Sequence, residues 1–143
     1  MTEGGPWVVD ASVVVKWYVP EIDSERAGLL LQQPAPLLAP ELLLAELGNV
    51  LWKKVRRGEL RVAEGEEILG EFLSAAPVDI RSDAPLVETA YGFATAVGCT
   101  VYDALYLSLA VAEQVRFVTA DDRVVRSVRG TELESFAVPL AVW

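Results

Sequence analysis

Short apolar segments alternate with helical segments along this chain, and this alternation restricts the fold more than any other feature of the sequence. Trp7–Asp10 and Val115–Thr119 are short and rich in β-branched residues, which predicts buried strands. Leu37–Ala39 and Val78–Ile80 are further candidate strands, and the apolar segment Phe136–Trp143 is a candidate edge strand. Strands separated by helices indicate an α/β domain with a mostly parallel central sheet.

Helical segments fill the intervals between these strands. The most regular one runs from about Pro40 to Arg57, where Leu43, Leu47 and Leu51 recur on one face. Gly and Pro residues mark the ends of several segments. The other predicted helices are Ala11–Tyr18, Glu21–Gln33, Val62–Ala75, Asp83–Val97, Val101–Gln114 and Asp122–Val128.

Two absences limit the chemistry that the chain can perform. It has no histidine, which excludes Ser-His-Asp and Cys-His catalysis and histidine general bases. Its single cysteine, Cys99, excludes an internal disulfide and a thiolate metal cluster from one chain. The net charge of −9 argues mildly against a nucleic-acid partner, because phosphate repels it.

Composition and hydropathy predict one globular domain over residues 1–143, in which residues 1–6 are a flexible N-terminus without a signal-peptide pattern. Hydrophobic residues make up 52% of the chain, enough for a sizeable core. The longest charge-free stretches, Ala27–Pro40 and Thr89–Tyr102, are shorter than the ~18 residues that a membrane-spanning helix needs. We therefore expect a cytoplasmic protein with no membrane partner.

Four carboxylates lie where a predicted strand ends or a predicted helix buries one face. Asp10 and Asp121 follow the two clearest strands, and the carboxyl ends of parallel strands border the ligand crevice of an open sheet. Glu46 lies on the apolar stripe of its helix, and Asp103 lies at the start of an apolar helix whose N-terminus favours anions. A buried carboxylate costs several kcal/mol unless it is paired or bound to metal.

Each of these acids also has a purely structural interpretation. Asp10 and Asp121 can cap the helices that follow them, Thr100 with Asp103 fits a capping box, and Glu46 can reach solvent at the edge of its stripe. As a set, however, converging carboxylates repel one another and need a positive partner. Oxygen ligands without histidine or thiolate suit Mg²⁺ or Mn²⁺, which points to metal-dependent phosphodiester hydrolysis.

Four blocks of this sequence, in matching order and spacing, resemble a PIN domain: Val8–Trp17, Pro40–Leu51, Thr100–Ala112 and Val118–Asp121. The group that they resemble most is the VapC-type toxins of toxin–antitoxin pairs. The resemblance implies a PIN-like three-layer α/β/α sandwich around the mostly parallel sheet. It also implies a Mg²⁺- or Mn²⁺-dependent endoribonuclease that hydrolyses RNA with metal-activated water, forms a homodimer and is blocked by a cognate antitoxin protein.

The same resemblance implies roles for individual residues. Asp10, Glu46 and Asp103 match the metal-binding catalytic acids of the family, and Asp121 matches the fourth catalytic acid and metal ligand. Asp122 is a further candidate metal ligand that can assist or replace Asp121. The supporting polar residues are Ser12, Asn49 and Thr119.

Other residues near these blocks keep two interpretations. Asn49, three residues after Glu46, either points into the same pocket or is a solvated helix residue. We expect Trp17, Tyr102 and Tyr106 to be packing groups rather than platforms for stacked bases. Two basic groups either lie on solvated faces and helix ends or contact phosphate. These groups are Lys53, Lys54, Arg56 and Arg57, and, near the predicted site, Arg116, Arg123, Arg126 and Arg129.

The alternative function is a non-catalytic PIN-fold module that dimerises or binds a protein, in which the carboxylates are caps and solvated acids. Two other acidic α/β classes fit poorly. Receiver domains need a late lysine, whereas this chain has none after Lys54, and HAD-type phosphatases need Asp-x-Asp after the first strand, where this chain has Asp10-Ala11-Ser12.

Overall fold

The structure, a computed structural model, describes residues 4–143, which form a five-stranded sheet flanked by seven α-helices. The strands are β1 (Trp7–Val9), β2 (Leu37–Pro40), β3 (Asp79–Arg81), β4 (Arg116–Thr119) and β5 (Ala137–Pro139). The helices are α1 (Ala11–Val14), α2 (Ser24–Gln32), α3 (Leu42–Arg56), α4 (Val62–Ala75), α5 (Val87–Val97), α6 (Val101–Glu113) and α7 (Asp122–Val128).

The sheet has the strand order β3-β2-β1-β4-β5, and every neighbouring pair is parallel. Val8 is in register with Leu38 on one side, and Val9 is in register with Val118 on the other. The chain builds one half of the sheet outward from β1 and then returns to β1 to build the other half. The carboxyl ends of β1 and β4 therefore meet at the point where the strand order reverses, which is where open α/β sheets bind ligands.

The core lies on both faces of this sheet. All three residues of β1 are buried, and successive side chains of a strand point to opposite faces, so helices cover both faces. Helix α6 packs against β1, β2 and β4 and is buried continuously from Ala104 to Ala110. The predicted α/β architecture with a helix-covered parallel sheet is confirmed.

Most predicted elements are present, with boundaries that shift for identifiable reasons. Helix α3 begins at Leu42 instead of Pro40, because Pro40 is the last residue of β2. Its start is fastened to the next segment: Asp83 Oδ1 accepts from Leu42 N at 3.3 Å, and Glu41 Oε1 accepts from Asp83 N at 3.0 Å. The helix predicted from Asp83 accordingly begins with a 3-10 turn before α5.

The C-terminal segment differs more from its prediction. Only Ala137–Pro139 pairs as a strand, and a 3-10 turn over Leu140–Val142 follows it. Proline has no N–H to continue a ladder of hydrogen bonds, so the strand ends there. The position at the sheet edge is as predicted. Of the predicted flexible N-terminus, residues 1–3 lie outside the described residues, and residues 4–6 contain no helix or strand.

No individual helix in the described range combines the length and the hydropathy that crossing a bilayer requires. One bent pair, Ala84–Val97 with Val101–Glu113, reaches both thresholds jointly with a bend of 114°. This pair includes the buried core helix α6, and core helices of globular proteins share those properties.

Candidate active site

Asp10 lies at the carboxyl end of the central strand and is fixed there by two hydroxyls. It is 9% exposed. Ser12 Oγ donates to Asp10 Oδ1 and Thr119 Oγ1 donates to Asp10 Oδ2, each at 2.5 Å. Asp10 also caps α1 by accepting from Val13 N at 3.3 Å. The capping interpretation and the functional interpretation therefore describe the same buried carboxylate.

The Ser12 hydroxyl also joins α1 to the turn that follows β4, and the Thr119 hydroxyl stabilises that same turn. Ser12 Oγ accepts from Ala120 N at 3.0 Å, and Thr119 Oγ1 accepts from Asp121 N at 3.0 Å. Thr119 is buried behind Asp10, which matches its predicted supporting role without placing it on the pocket surface. The ends of two adjacent parallel strands thus hold one carboxylate in a defined orientation.

Burial raises the pKa of Asp10 to about 6. The hydrogen bonds from Ser12 and Thr119 oppose this shift, and the negative charge of Glu46 adds to it. Burial penalises a charged carboxylate, and a second carboxylate nearby increases the penalty. Asp10 therefore occupies a position that a cation would stabilise.

Glu46 projects from α3 toward the same pocket and is half-buried. Tyr106 Oη, from α6, donates to Glu46 Oε1 at 2.5 Å. The Tyr106 ring stacks on Phe117 with centroids 5.3 Å apart, so the hydroxyl is held by core packing. Burial raises the pKa of Glu46, the Tyr106 hydrogen bond lowers it, and the charges of Asp103 and Asp121 raise it further.

Asp103 lies in the first turn of α6 and faces the pocket. Thr100 Oγ1 accepts from Asp103 N at 3.0 Å, which is the capping contact that the sequence predicts. Burial raises the pKa of Asp103, and the charge of Asp121 adds to the effect. The charge of Arg123 lowers it.

Asp121 differs from the other three acids because it is already paired with a cation. Its carboxylate caps α7 by accepting from Arg123 N at 2.9 Å, and the Arg123 guanidinium contacts both of its oxygens. Hydrogen bonding to Arg123 lowers the pKa of Asp121. Asp122, by contrast, is an exposed residue of α7 outside the pocket wall. Of the two neighbouring candidates, Asp121 is the one that the fold places at the site.

Four of the five predicted acids line one open pocket of about 520 Å³. Ser12 and Asn49 also line the pocket. Of the two interpretations of Asn49, the structure therefore agrees with the one that places it at the pocket. The four acids on the wall are Asp10, Glu46, Asp103 and Asp121. The negative charges of neighbouring acids in this set raise the pKa values of Asp10, Glu46 and Asp103. Even so, within residues 4–143 no three acidic or cysteine side chains stand together as a ready-made metal site. Hydrogen bonds from hydroxyls hold the carboxylates of Asp10 and Glu46, and hydrogen bonds from Arg123 hold that of Asp121.

Three expectations about residues around the site are wrong. Lys54 lies in the last turn of α3, as one interpretation expected, but it is neither solvated nor available to phosphate: it is buried, and its Nζ contacts the carboxylate of Glu21. Tyr102 is 62% exposed on the pocket wall instead of packed in the core. Arg116 begins β4 beside Trp7, at the opposite end of the strands from the acids.

Three residues contribute to the site although the sequence did not predict them as site residues. Tyr106 follows Asp103 by three residues on α6, and this spacing places both on one side of the helix, which is a usable signal. Arg123 and Lys53 were noted only as members of basic groups, yet both line the pocket. No spacing rule distinguishes Arg123 from its neighbours Arg126 and Arg129, because its role comes from a turn and not from a helix face.

The chain is similar to known proteins in sequence and in fold. The family model described as PIN domain matches residues 7–130. A curated relative, Ribonuclease VapC3 of Pyrobaculum aerophilum, is 39% identical over 117 residues, which cover 80% of this chain and 88% of the relative. The crystal structure of PAE2754 from Pyrobaculum aerophilum superposes with a TM-score of 0.69 and 25% identity, covering 95% of this chain and 91% of that one. A toxin–antitoxin complex from Klebsiella pneumoniae gives a TM-score of 0.64 at 10% identity over 94% and 98% of the two chains, a likeness of fold alone.

Proposed function

Because the chain belongs to the PIN-domain family, we propose that it is a divalent-metal-dependent endoribonuclease whose active site is the acidic pocket at the carboxyl ends of β1 and β4. One observation carries this proposal. Asp10, Glu46 and Asp103 come from three different elements, face one pocket and all have a raised pKa. Such a set is costly to build and is typical of functional sites.

The donor set fits Mg²⁺ or Mn²⁺, because its members are hard oxygen ligands and their charges have too few positive partners within the pocket. Asp10, Glu46 and Asp103 are the residues that would hold the ion, with Asp121 as the fourth ligand. Hydrogen bonds from hydroxyls orient the carboxylates of Asp10 and Glu46, and the Arg123 guanidinium pairs with the carboxylate of Asp121. When bound, the ion supplies a Lewis acid that activates water and stabilises charge on the phosphate.

The residues of the chain prepare this chemistry by fixing the carboxylates. Ser12 and Thr119 hold Asp10 at the strand end, and Tyr106 holds Glu46 at the edge of the α3 stripe. Groups that orient ligands in this way normally contribute about 10- to 100-fold in metal affinity or activity. Tyr102 and Asn49 on the pocket wall are accessible to a bound nucleic acid.

The biological role that we propose is the toxin of a toxin–antitoxin pair. The curated relative is named a ribonuclease of the VapC group, and the solved structures of similar fold include a toxin–antitoxin complex. We accordingly propose an RNA substrate, a cognate antitoxin protein that blocks the site, a homodimer and action in the cytoplasm. An acidic toxin of net charge −9 suits an antitoxin that presents Arg or Lys.

Induced expression in a bacterial host tests the toxin role. We expect the wild-type chain to arrest growth and to reduce intact cellular RNA, whereas Asp103→Asn, made at the same level, permits growth. Glu66→Gln is the matched control, because Glu66 is an exposed acid on α4 outside the pocket. Growth arrest by Asp103→Asn equal to that by the wild type would contradict the proposal.

Metal binding distinguishes the proposed nuclease from the alternative, a non-catalytic binding module. Calorimetric titration with Mn²⁺ is expected to give saturable binding to the wild type and weaker binding to Glu46→Gln. Glu66→Gln again serves as the control. If the wild type binds no Mn²⁺, the carboxylates are structural caps and the binding-module function is favoured.

A further inference from the structure

At the entrance of the acidic pocket, one edge of the Arg123 guanidinium donates hydrogen bonds to the carboxylate of Asp121. Nε lies 3.2 Å from both oxygens of Asp121, and Nη2 lies 2.8 Å from Oδ2. The guanidinium is planar and carries five N–H donors in a fixed arrangement. Contacts from Nε and Nη2 therefore fix the orientation of the whole group.

The outer edge of the same guanidinium is left for another ligand. The Arg123 side chain is 74% exposed. Over residues 4–143, Asp121 is the one carboxylate with which it pairs. Nη1 and the second N–H of Nη2 form an outward-facing pair of donors, and two parallel N–H donors match two oxygens of a phosphate.

The position of Arg123 is set by the fold as well as by the ion pair. Asp121 caps α7 through the Arg123 backbone N–H, so the side chain leaves the helix beside the carboxylate that it contacts. The charge of Arg123 also reaches Asp103 across the pocket. Arg123 is therefore a cation anchored at the entrance to a set of acids that by themselves repel a polyanion.

We propose that Arg123 binds a phosphate of the RNA backbone at this entrance, and that Asp121 is the positioning residue that holds the guanidinium there. The inference rests on the proposed function, because it takes RNA as the substrate. It adds a cation that, together with Lys53 on the pocket wall, offsets the negative charge of the pocket. Asp121 then has two roles, as the fourth ligand of the metal ion and as the residue that positions Arg123. These roles compete, because a carboxylate that is paired with Arg123 binds a divalent ion less readily.

These two tasks make the substitution Arg123→Ala act in opposite directions on two ligands. RNA binding loses one charge-assisted fork, which we expect to weaken it about three- to tenfold. Mn²⁺ binding loses a competing cation at Asp121, which we expect to strengthen it about two- to fivefold. A merely structural role for an exposed side chain would change neither affinity in this paired manner.

The test measures binding of a fluorescein-labelled single-stranded RNA by anisotropy, in EDTA and on an Asp10→Asn background so that the RNA stays intact. Arg123→Ala is expected to reduce the affinity and to lower the slope of log K against log salt by about 0.7, the contribution of one phosphate contact on a single strand. Arg123→Lys keeps the charge without the two parallel N–H donors and is expected to retain the salt slope with an intermediate affinity.

Arg129→Ala is the charge-matched control, because Arg129 is an exposed residue at the far end of α7. Mn²⁺ affinities are measured by calorimetry on the same substitutions with Asp10 retained.

The outcomes separate this inference from the proposed function. Wild-type RNA affinity in Arg123→Ala, or an equal loss in Arg129→Ala, overturns the role of Arg123 while the nuclease proposal stands. Weaker Mn²⁺ binding in Arg123→Ala overturns the competition at Asp121. If the protein with Arg123 intact binds neither RNA nor Mn²⁺, both proposals fail together.

Discussion

Thr119 Oγ1 and Asp10 Oδ2 lie 2.5 Å apart, and this hydrogen bond joins the ends of two parallel strands whose residues are 109 positions apart in the chain. It connects a buried hydroxyl to a buried carboxylate. Substitutions of either residue should therefore change the stability of the protein, and that change can be measured. The acidic pocket is built around this contact.

Replacing Thr119 with Val is expected to destabilise the protein by about 1–3 kcal/mol at pH 7.5 in EDTA, because it removes a donor from a buried carboxylate. Thr119→Ser keeps the hydroxyl and is expected to lose less than half as much. Urea denaturation followed by circular dichroism measures both. Equal losses for the two substitutions would show that side-chain packing, and not the hydrogen bond, is what Thr119 contributes.

Asp10→Asn is expected to stabilise the metal-free protein at neutral pH. The pKa of Asp10 in the folded state is about 6, above the value of 3.8 that it has without burial. A raised pKa contributes stability that is present below pH 4 and is lost as the pH rises through 6. Removing the charge at pH 7.5 therefore recovers up to about 3 kcal/mol, and the difference from the wild type should shrink at pH 5.

Thermal unfolding in EDTA at pH 5 and pH 7.5 measures this difference. Mn²⁺ is expected to raise the melting temperature of the wild type and to leave that of Asp10→Asn nearly unchanged, because an ion that binds only the folded state stabilises it. A melting temperature for Asp10→Asn below that of the wild type at pH 7.5 in EDTA would contradict the burial argument.

Tyr106→Phe is expected to lower Mn²⁺ affinity and RNA cleavage by about tenfold, because it removes the hydroxyl that orients Glu46. The aromatic ring and its stacking on Phe117 are kept. Calorimetry and cleavage assays test this, with Tyr91→Phe as the control, since Tyr91 is an exposed tyrosine on α5. Unchanged Mn²⁺ affinity in Tyr106→Phe would contradict the role of the Tyr106 hydroxyl in orienting Glu46.

Lys54→Met is expected to destabilise the fold by about 1–3 kcal/mol, because it removes a charged donor from the partly buried Glu21 and leaves Lys16, at 3.4 Å, as the remaining cation. Adding Glu21→Gln to Lys54→Met is expected to restore part of this loss. Lys53→Met, one residue earlier on an exposed position, is the control for stability. Equal stability of Lys54→Met and Lys53→Met in urea denaturation would contradict a structural role for Lys54.

The alternation of strands and helices predicted the layered fold because it depends on local periodicity, which is written along the chain. The positions of Asp10 and Asp103 could be predicted for the same reason, because the end of a strand and the start of a helix are local features of the chain. The contact between Lys54 and Glu21 could not be predicted, because it joins residues 33 positions apart in a turn and a helix. Periodicity indicates which face is apolar and says nothing about which distant acid a lysine meets.

Arg123 illustrates a second limit. Its sequence context, two acids followed by an arginine, is compatible with a solvated helix start, and only the turn geometry directs the guanidinium onto Asp121. Pro139 illustrates the reverse case, since its missing N–H is a local signal for the end of β5 that the apolar pattern of the last residues obscured.

The most direct test of the central claim is RNA cleavage by the purified protein with Mn²⁺ and with excess EDTA, compared with Asp10→Asn, Glu46→Gln and the control Glu66→Gln. We expect internal cleavage by the wild type and by Glu66→Gln in Mn²⁺, none in EDTA, and a loss of at least about 100-fold in either pocket substitution. Equal cleavage in EDTA, or wild-type cleavage by Asp10→Asn with Mn²⁺, would contradict a metal-dependent active site at this pocket.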